Sequence, residues 1–232
     1  MIRAVLMDID DTLLDFGASV REAIGAGFAR YGLGDCTEET LAVFHRVSGE
    51  LWRALEQGSL TYGQLLEIRW NRVFDALGIS FDGQLFERFF EDCLFDSAIP
   101  IEGAGEILSY LRTRCILCAA SNAPYDQQVN RLRRCGMLES FAHLFISEKL
   151  GVSKPSRAFF DHCMEELNRD LPGNAAIRPL EVLVVGDSLS SDMKGGIAGG
   201  MQTCLYDPRG RGTQGLAVDH VISSLDGLRE IL

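Results

Sequence analysis

Short apolar-rich runs recur along the chain at 2–7, 115–120, 144–146, 182–185, 203–206 and 220–222, the first broken only by Arg3. Runs of this length without polar alternation fit strands buried on both faces. Helical patterns lie between most of them, so the expected fold class is α/β, a doubly wound parallel sheet.

The gap between the first two runs is different. For about a hundred residues the apolar positions follow a 3.6-residue period and no strand pattern intervenes. Val20, Ala23, Ile24, Gly27, Phe28 and Tyr31 share one helical face. Thr37 is placed to cap a second helix carrying Leu41, Phe44, Val47, Leu51, Trp52 and Leu55, with Gly58 past its end. Thr61 is placed to cap a third, with Tyr62, Leu65, Leu66, Trp70, Val73, Phe74 and Leu77 inward, and Asp82 a fourth holding Leu85, Phe86, Phe89, Phe90 and Cys93. Four amphipathic helices in succession can bury their stripes on one another. The expected division is an α/β core of residues 1–15 and 96–232, with 16–95 inserted as a helical domain.

Composition narrows the class of partner. A formal net charge of −11 argues against a nucleic acid polymer or an acidic membrane surface, where affinity comes mainly from Lys and Arg neutralising phosphates. No apolar stretch approaches the ~20 residues a membrane helix needs. Seven cysteines, an odd number in mostly apolar surroundings, and an opening without the pattern of a signal peptide fit a reducing, cytoplasmic setting. Cys115 and Cys118 are expected to be core residues, because i and i+3 on a strand face opposite sides.

Four segments carry candidate chemistry. Asp8-Ile9-Asp10-Asp11-Thr12 follows the first strand, which sets two carboxylates at a strand's carboxyl end, where open α/β sheets bind ligands. Taken alone, a turn that favours aspartate accounts for this segment equally well. Ser121-Asn122 follows the second strand and offers a hydroxyl, an amide and backbone N–H groups. Lys154, before Pro155, could neutralise a phosphoryl group or hold a carboxylate ionised. Gly186-Asp187-Ser188-Leu189-Ser190-Ser191-Asp192 follows the fourth strand and adds two carboxylates suited to a hard cation. Arg209 and Arg211, in the glycine-rich loop 207–215, and Arg53 and Arg69 in the helical stretch are expected to be solvated. The helical spacing assigns Trp52 and Tyr62 to packing.

In this order the four segments resemble the four motifs of the haloacid dehalogenase-like superfamily: Asp-x-Asp-x-Thr, Ser-Asn, Lys-Pro and Gly-Asp-x-x-x-x-Asp. The helical insertion is similar to that family's C1 cap. Residues 10–16 and 186–196 are similar to pyrimidine 5′-nucleotidases, a branch that also includes N-acylneuraminate-9-phosphatases. The resemblance implies a Mg²⁺-dependent phosphatase acting on a small phosphorylated metabolite, as a monomer or homodimer. It implies that Asp8 is the nucleophile, Asp10 the general acid and base, and Lys154 the charge-neutralising partner. Thr12, Ser121 and Asn122 would bind the phosphoryl oxygens, and Asp8, Asp10 (through its backbone carbonyl), Asp187 and Asp192 would hold the metal. A nucleoside 5′-monophosphate is the substrate class expected, with a sugar phosphate such as N-acylneuraminate 9-phosphate as the alternative. A phosphomutase, a dehalogenase and a non-catalytic binding protein share the scaffold; Asp10 argues against the dehalogenase, which lacks that second aspartate.

Overall fold

The computed structural model describes residues 1–232, apart from the side chains of Glu56 and Asn174. Six strands, β1 (Ala4–Met7), β2 (Ile116–Ser121), β3 (His143–Ile146), β4 (Val182–Gly186), β5 (Gln202–Tyr206) and β6 (His220–Ile222), form one sheet. Its order is β3-β2-β1-β4-β5-β6 and every ladder is parallel. The helices are α1 (Phe16–Tyr31), α2 (Glu38–Glu56), α3 (Tyr62–Leu77), α4 (Gly83–Asp96), α5 (Ala104–Leu111), α6 (Tyr125–Arg134), α7 (Ser147–Leu150), α8 (Arg157–Asn168) and α9 (Lys194–Ala198).

Strand alternation divides the buried side chains between two faces. Val5, Met7, Leu117, Ala119, Leu183 and Val185 pack with Ile107, Leu108 and Leu111 of α5 and Leu132 of α6. Ala4, Leu6, Cys118, Ala120, Val182 and Val184 pack on the other side with Phe159, Phe160 and Cys163 of α8. Helices on both faces leave no face of β1 to solvent, which is why its sequence reads as an unbroken apolar run. The sheet and its helices, Met1–Phe16 with Ala98–Leu232, are one compact unit, and Gly17–Ser97 is a second. The strand assignments differ from expectation at their ends: β1 starts at Ala4, and Cys115 precedes β2, its thiol facing the Leu111 carbonyl at 3.4 Å.

In the second unit three caps set the helix starts. Thr37 Oγ1 accepts from the Thr40 N–H at 3.2 Å while Thr40 Oγ1 accepts from the Thr37 N–H at 3.3 Å, and Thr61 with Gln64 repeats this reciprocal box. Asp82 Oδ1 accepts from the N–H groups of Gln84 and Leu85 at 2.9 and 3.1 Å. The core between the helices is aromatic: Phe28, Phe44, Trp70, Phe74, Phe86 and Phe90 are all buried, and the Trp70 and Phe86 ring centres are 4.1 Å apart. Gly27 lets α1 approach α4, since a Cβ there would lie 2.5 Å from the Phe86 ring. Two positions depart from expectation. Leu85 is exposed, and Arg69 is buried among the aromatics, paired with Glu87 and, at 2.8 Å, with Glu91. A guanidinium enters such a core only when its charge is met, and α4 supplies both carboxylates.

Candidate active site at the carboxyl end of the sheet

Met7, the last residue of β1, lies between Ala119 of β2 and Val185 of β4. The next N–H, that of Asp8, still donates to the Val185 carbonyl at 2.9 Å. Asp8 therefore leaves the sheet where the strand order reverses, the crevice in which doubly wound sheets take ligands. The chain then turns tightly. Asp11 has φ 58°, and its N–H donates to the Leu14 carbonyl at 2.7 Å, which fixes the path from Asp8 to Leu14.

Lys154 organises the centre. Its ammonium donates to Asp8 Oδ1 at 2.6 Å, Asp192 Oδ1 at 2.7 Å and the Ala120 carbonyl at 2.7 Å, so each of its three protons has an acceptor. Burial pulls the Lys154 ammonium down, but Asp192 and Asp8 together outweigh it and the net displacement is upward. Asp8 Oδ2 accepts from the Thr12 hydroxyl at 3.1 Å. Asn122 acts on the lysine's backbone: its amide donates to the Lys154 carbonyl and its oxygen accepts the Lys154 N–H, both at 2.9 Å. The side chain expected to face a phosphoryl group instead ties β2 to the segment that carries Lys154.

The third and fourth carboxylates come from the end of β4. Oxygen atoms of Asp8, Asp187 and Asp192 lie within 4.8 Å of one another. Asp192 sits against Gly186, where an added Cβ would be 2.3 Å from Asp192 Oδ2, and that oxygen accepts from the Ser188 N–H at 3.2 Å. Burial pushes the Asp187 carboxyl up to about 7, with Asp192 and Asp11 adding to the rise and Arg211 and Lys154 opposing it. Burial likewise raises Asp8 well above its usual range against the pull of Lys154, and Asp192 and Asp187 reinforce it. Three crowded, partly dehydrated carboxylates offer the hard oxygen donors that suit a small divalent cation, whose charge would relieve their repulsion.

Asp10 stands apart from this cluster. Its Oδ2 accepts from Gln128 Nε2 at 2.5 Å and its Oδ1 from Arg131 Nη1, both on α6. Gln128 Nε2 also reaches Ser121 Oγ at 2.9 Å, and Ser121 Oγ accepts the Ala123 N–H at 3.1 Å. Neither Gln128 nor Arg131 was among the residues the motifs singled out. A signal was available, because Gln128, Arg131 and Leu132 share a face at i, i+3 and i+4, so two polar residues lie on the buried stripe of a helix that directly follows Ser-Asn. Arg211 also departs from expectation: half exposed, it reaches Asp187 Oδ2 at 3.6 Å and Asp207 Oδ1 at 3.5 Å. It lines a cavity of about 330 Å³ together with Asp11, Asp15, Asp187, Tyr206 and Arg209. Among the described residues, no helix is long and apolar enough to cross a membrane.

Known proteins agree with this architecture. The HAD-hydrolase YfnB of Bacillus subtilis is 30% identical over 206 residues, 89% of this chain and 84% of YfnB. Its crystal structure bound to magnesium superposes with a TM-score of 0.90, covering 100% of this chain and 98% of that one. Pyrimidine 5′-nucleotidase YjjG of Escherichia coli is 29% identical over 98% of this chain and 96% of its own length. Pyrimidine 5′-nucleotidase PynA of Streptococcus pneumoniae is also 29% identical, over 88% and 83%. A family model for haloacid dehalogenase-like hydrolases spans residues 2–200, which takes in all four motif segments and the helical stretch between the first two, and the chain belongs to that family of enzymes.

Proposed function

We propose that this chain is a Mg²⁺-dependent phosphomonoesterase that forms an aspartyl phosphate on Asp8, with a pyrimidine nucleoside 5′-monophosphate as its substrate class. The observation that carries the reading is the unequal treatment of two aspartates two residues apart. Asp8 is buried, gripped by Lys154 and crowded by Asp187 and Asp192; the Asp10 side chain, 24% exposed, faces an amide and a guanidinium instead. The nucleophile is thus held by one cation in a cluster suited to a second, while the proton carrier is kept out of that cluster by donors of its own.

In this reading Lys154 and Thr12 each hold one oxygen of Asp8, which fixes the carboxylate for in-line attack on phosphorus. Asp10 gives its proton to the departing alkoxide and later takes one from the water that releases phosphate. Ser121 Oγ, already accepting two hydrogen bonds, turns its own proton outward to a phosphoryl oxygen. Asn122 keeps the Lys154 segment registered with β2. Asp8, Asp187 and the Asp10 carbonyl, with Asp192 directly or through water, would hold Mg²⁺, which supplies positive charge against the phosphoryl oxygens when bound. Gly17–Ser97 is proposed as the substrate-selecting cap, and the named activities of YjjG and PynA support the pyrimidine nucleotide.

The test is a hydrolysis screen over mononucleotides, sugar phosphates and N-acylneuraminate 9-phosphate, with Mg²⁺ and with chelator. The expected result is metal-dependent release of phosphate with the highest kcat/KM on a pyrimidine 5′-monophosphate. Full activity in chelator after verified metal removal overturns the metal-dependent site. A higher kcat/KM on N-acylneuraminate 9-phosphate overturns the nucleotide assignment alone.

A further inference from the structure

Gln128 and Arg131 are wholly buried, which is costly for an amide and prohibitive for a guanidinium unless their donors are met. Helix α6 carries three arginines in its last turn, Arg131, Arg133 and Arg134. Arg133 and Arg134 turn outward, whereas Arg131 turns into the core, so the buried charge is specific to the position facing Asp10. There each oxygen of the Asp10 carboxylate receives its own donor, Oδ2 from Gln128 and Oδ1 from Arg131. Gln128 Oε1 in turn accepts from Arg131 Nη1 at 3.2 Å, and Gln128 Nε2 reaches Ser121 Oγ. The two donors brace each other, and the pair is anchored to the end of β2. A carboxylate gripped at both oxygens cannot rotate about its Cβ–Cγ bond, and the Asp11–Leu14 turn already fixes its backbone.

We propose that Gln128 and Arg131 are positioning residues for proton transfer: they hold the Asp10 carboxyl in the orientation from which it serves the leaving oxygen. The proposal rests on Asp10 being the general acid. Arg131 also meets the Phe16 ring, 5.7 Å from its centre, so the same guanidinium is packed on one side while it grips Asp10 on the other. Its fork is therefore fixed in space before any substrate arrives.

A positioning role and a purely structural one differ in how they respond to the leaving group. An alkyl phosphate must shed a strongly basic alkoxide and depends on a well-aimed proton; p-nitrophenyl phosphate sheds a weakly basic phenolate and needs almost none. The quantity to measure is the ratio of kcat/KM for a nucleoside 5′-monophosphate to that for p-nitrophenyl phosphate. It reports formation of the aspartyl phosphate, before the hydrolysis step that both substrates share. In Arg131→Met and Gln128→Met the ratio is expected to fall by about tenfold or more, within the ~10²–10⁴ that a general acid contributes. Arg131→Lys, which keeps the charge but loses the fork, is expected to fall in between, and it is the variant to read should Arg131→Met fail to fold. A ratio equal to the parent's in the folded variants, whether both rates drop together or neither changes, overturns the proposal. Asp10→Asn separates the two layers. If that variant also leaves the ratio unchanged, Asp10 is not the general acid and the functional reading fails; if it lowers the ratio while the α6 variants do not, only the positioning role is lost.

Discussion

Asp187→Asn tests the carboxylate cluster through stability as well as activity. The folded protein holds the Asp187 carboxyl at about 7, well above the 3.8 of an exposed aspartate, mainly through burial and then through Asp192 and Asp11. An acid raised in this direction contributes nothing unfavourable below pH ~4, where it is protonated in folded and unfolded chains alike. Between pH ~4 and ~7 the unfolded chain ionises first and the folded state loses ground; above ~7 the loss is complete. For a side chain about a quarter exposed the full penalty is about 2–4 kcal/mol. Metal-free Asp187→Asn, which cannot ionise there, is therefore expected to be more stable than the parent at pH 8 by about that amount, ~5–10 °C in Tm, and nearly equal to it at pH 4.

Adding Mg²⁺ is expected to reverse the order. The parent gains a ligand that binds only the folded site, whereas the amide is a poor donor for a hard cation and the variant gains less. Metal binding by the parent below pH 7 is expected to release protons, so calorimetry in buffers of different ionisation enthalpy should show a buffer-dependent heat that is smaller in the variant, where Asp8 remains but Asp187 no longer contributes. Denaturation curves at pH 4 and pH 8, each in chelator and in Mg²⁺, complete the assay. If the variant is no more stable than the parent at pH 8 in chelator, or if Mg²⁺ stabilises both by the same amount, Asp187 is not a strained member of a cation site.

Gly186→Ala sets a methyl group 2.3 Å from Asp192 Oδ2 and is expected to push that carboxylate off Lys154, destabilising the chain by about 1–3 kcal/mol and weakening Mg²⁺ binding, read by titration; unaltered metal affinity would count against Asp192 as a support of the site. Arg69→Met leaves Glu87, which burial already raises to about 7 against the pull of Arg69, without its partner, and is expected to cost about 3–5 kcal/mol in denaturant, largely recovered in Arg69→Met with Glu87→Leu; a loss under ~1 kcal/mol refutes the buried-pair account. Turnover in ¹⁸O-water is expected to label the released phosphate and leave the Asp8 peptide unlabelled by mass spectrometry, while label accumulating on Asp8 would mean that water attacks the aspartyl carbon.

What the sequence made legible was whatever is set locally. A two-faced buried strand is an apolar run wherever its neighbours lie, so all six strands could be placed within a few residues. Thr37, Thr61 and Asp82 cap their helices through N–H groups two or three residues away, and they too could be read directly. Pairings made across the fold could not. Arg69 follows Leu65 and precedes Val73 at four-residue intervals, so its place on the buried face was visible, but the carboxylates that permit it come from Glu87 and Glu91 on another helix. Asn122 and Lys154 are 32 residues apart and Asp10 and Arg131 are 121 apart, and no local pattern joins them. The motifs supplied candidates for the chemistry; the residues that hold those candidates in place became visible only with the topology.

Topology also explains why two aspartates separated by one residue can have such different surroundings. β1 is flanked by β2 on one side and β4 on the other, and each neighbour ends in a segment of different character. From β4 come Asp187 and Asp192, so the charge around Asp8 is acidic and calls for cations, one of them Lys154. From β2 come Ser121, Asn122 and then α6, with a hydroxyl, amides and a guanidinium and no carboxylate among the groups that hold Asp10. Exchanging the neighbours of β1 would give both aspartates the wrong company. Inserting the helical unit between Phe16 and Ala98 leaves this arrangement intact, because the strands that enclose Asp8 and Asp10 pair only among themselves. Asp15 and Ile99 hydrogen-bond at 2.8 Å, so the chain leaves and re-enters the core at nearly one point. A large change in the inserted helices is then compatible with unchanged distances among the carboxylates of the core.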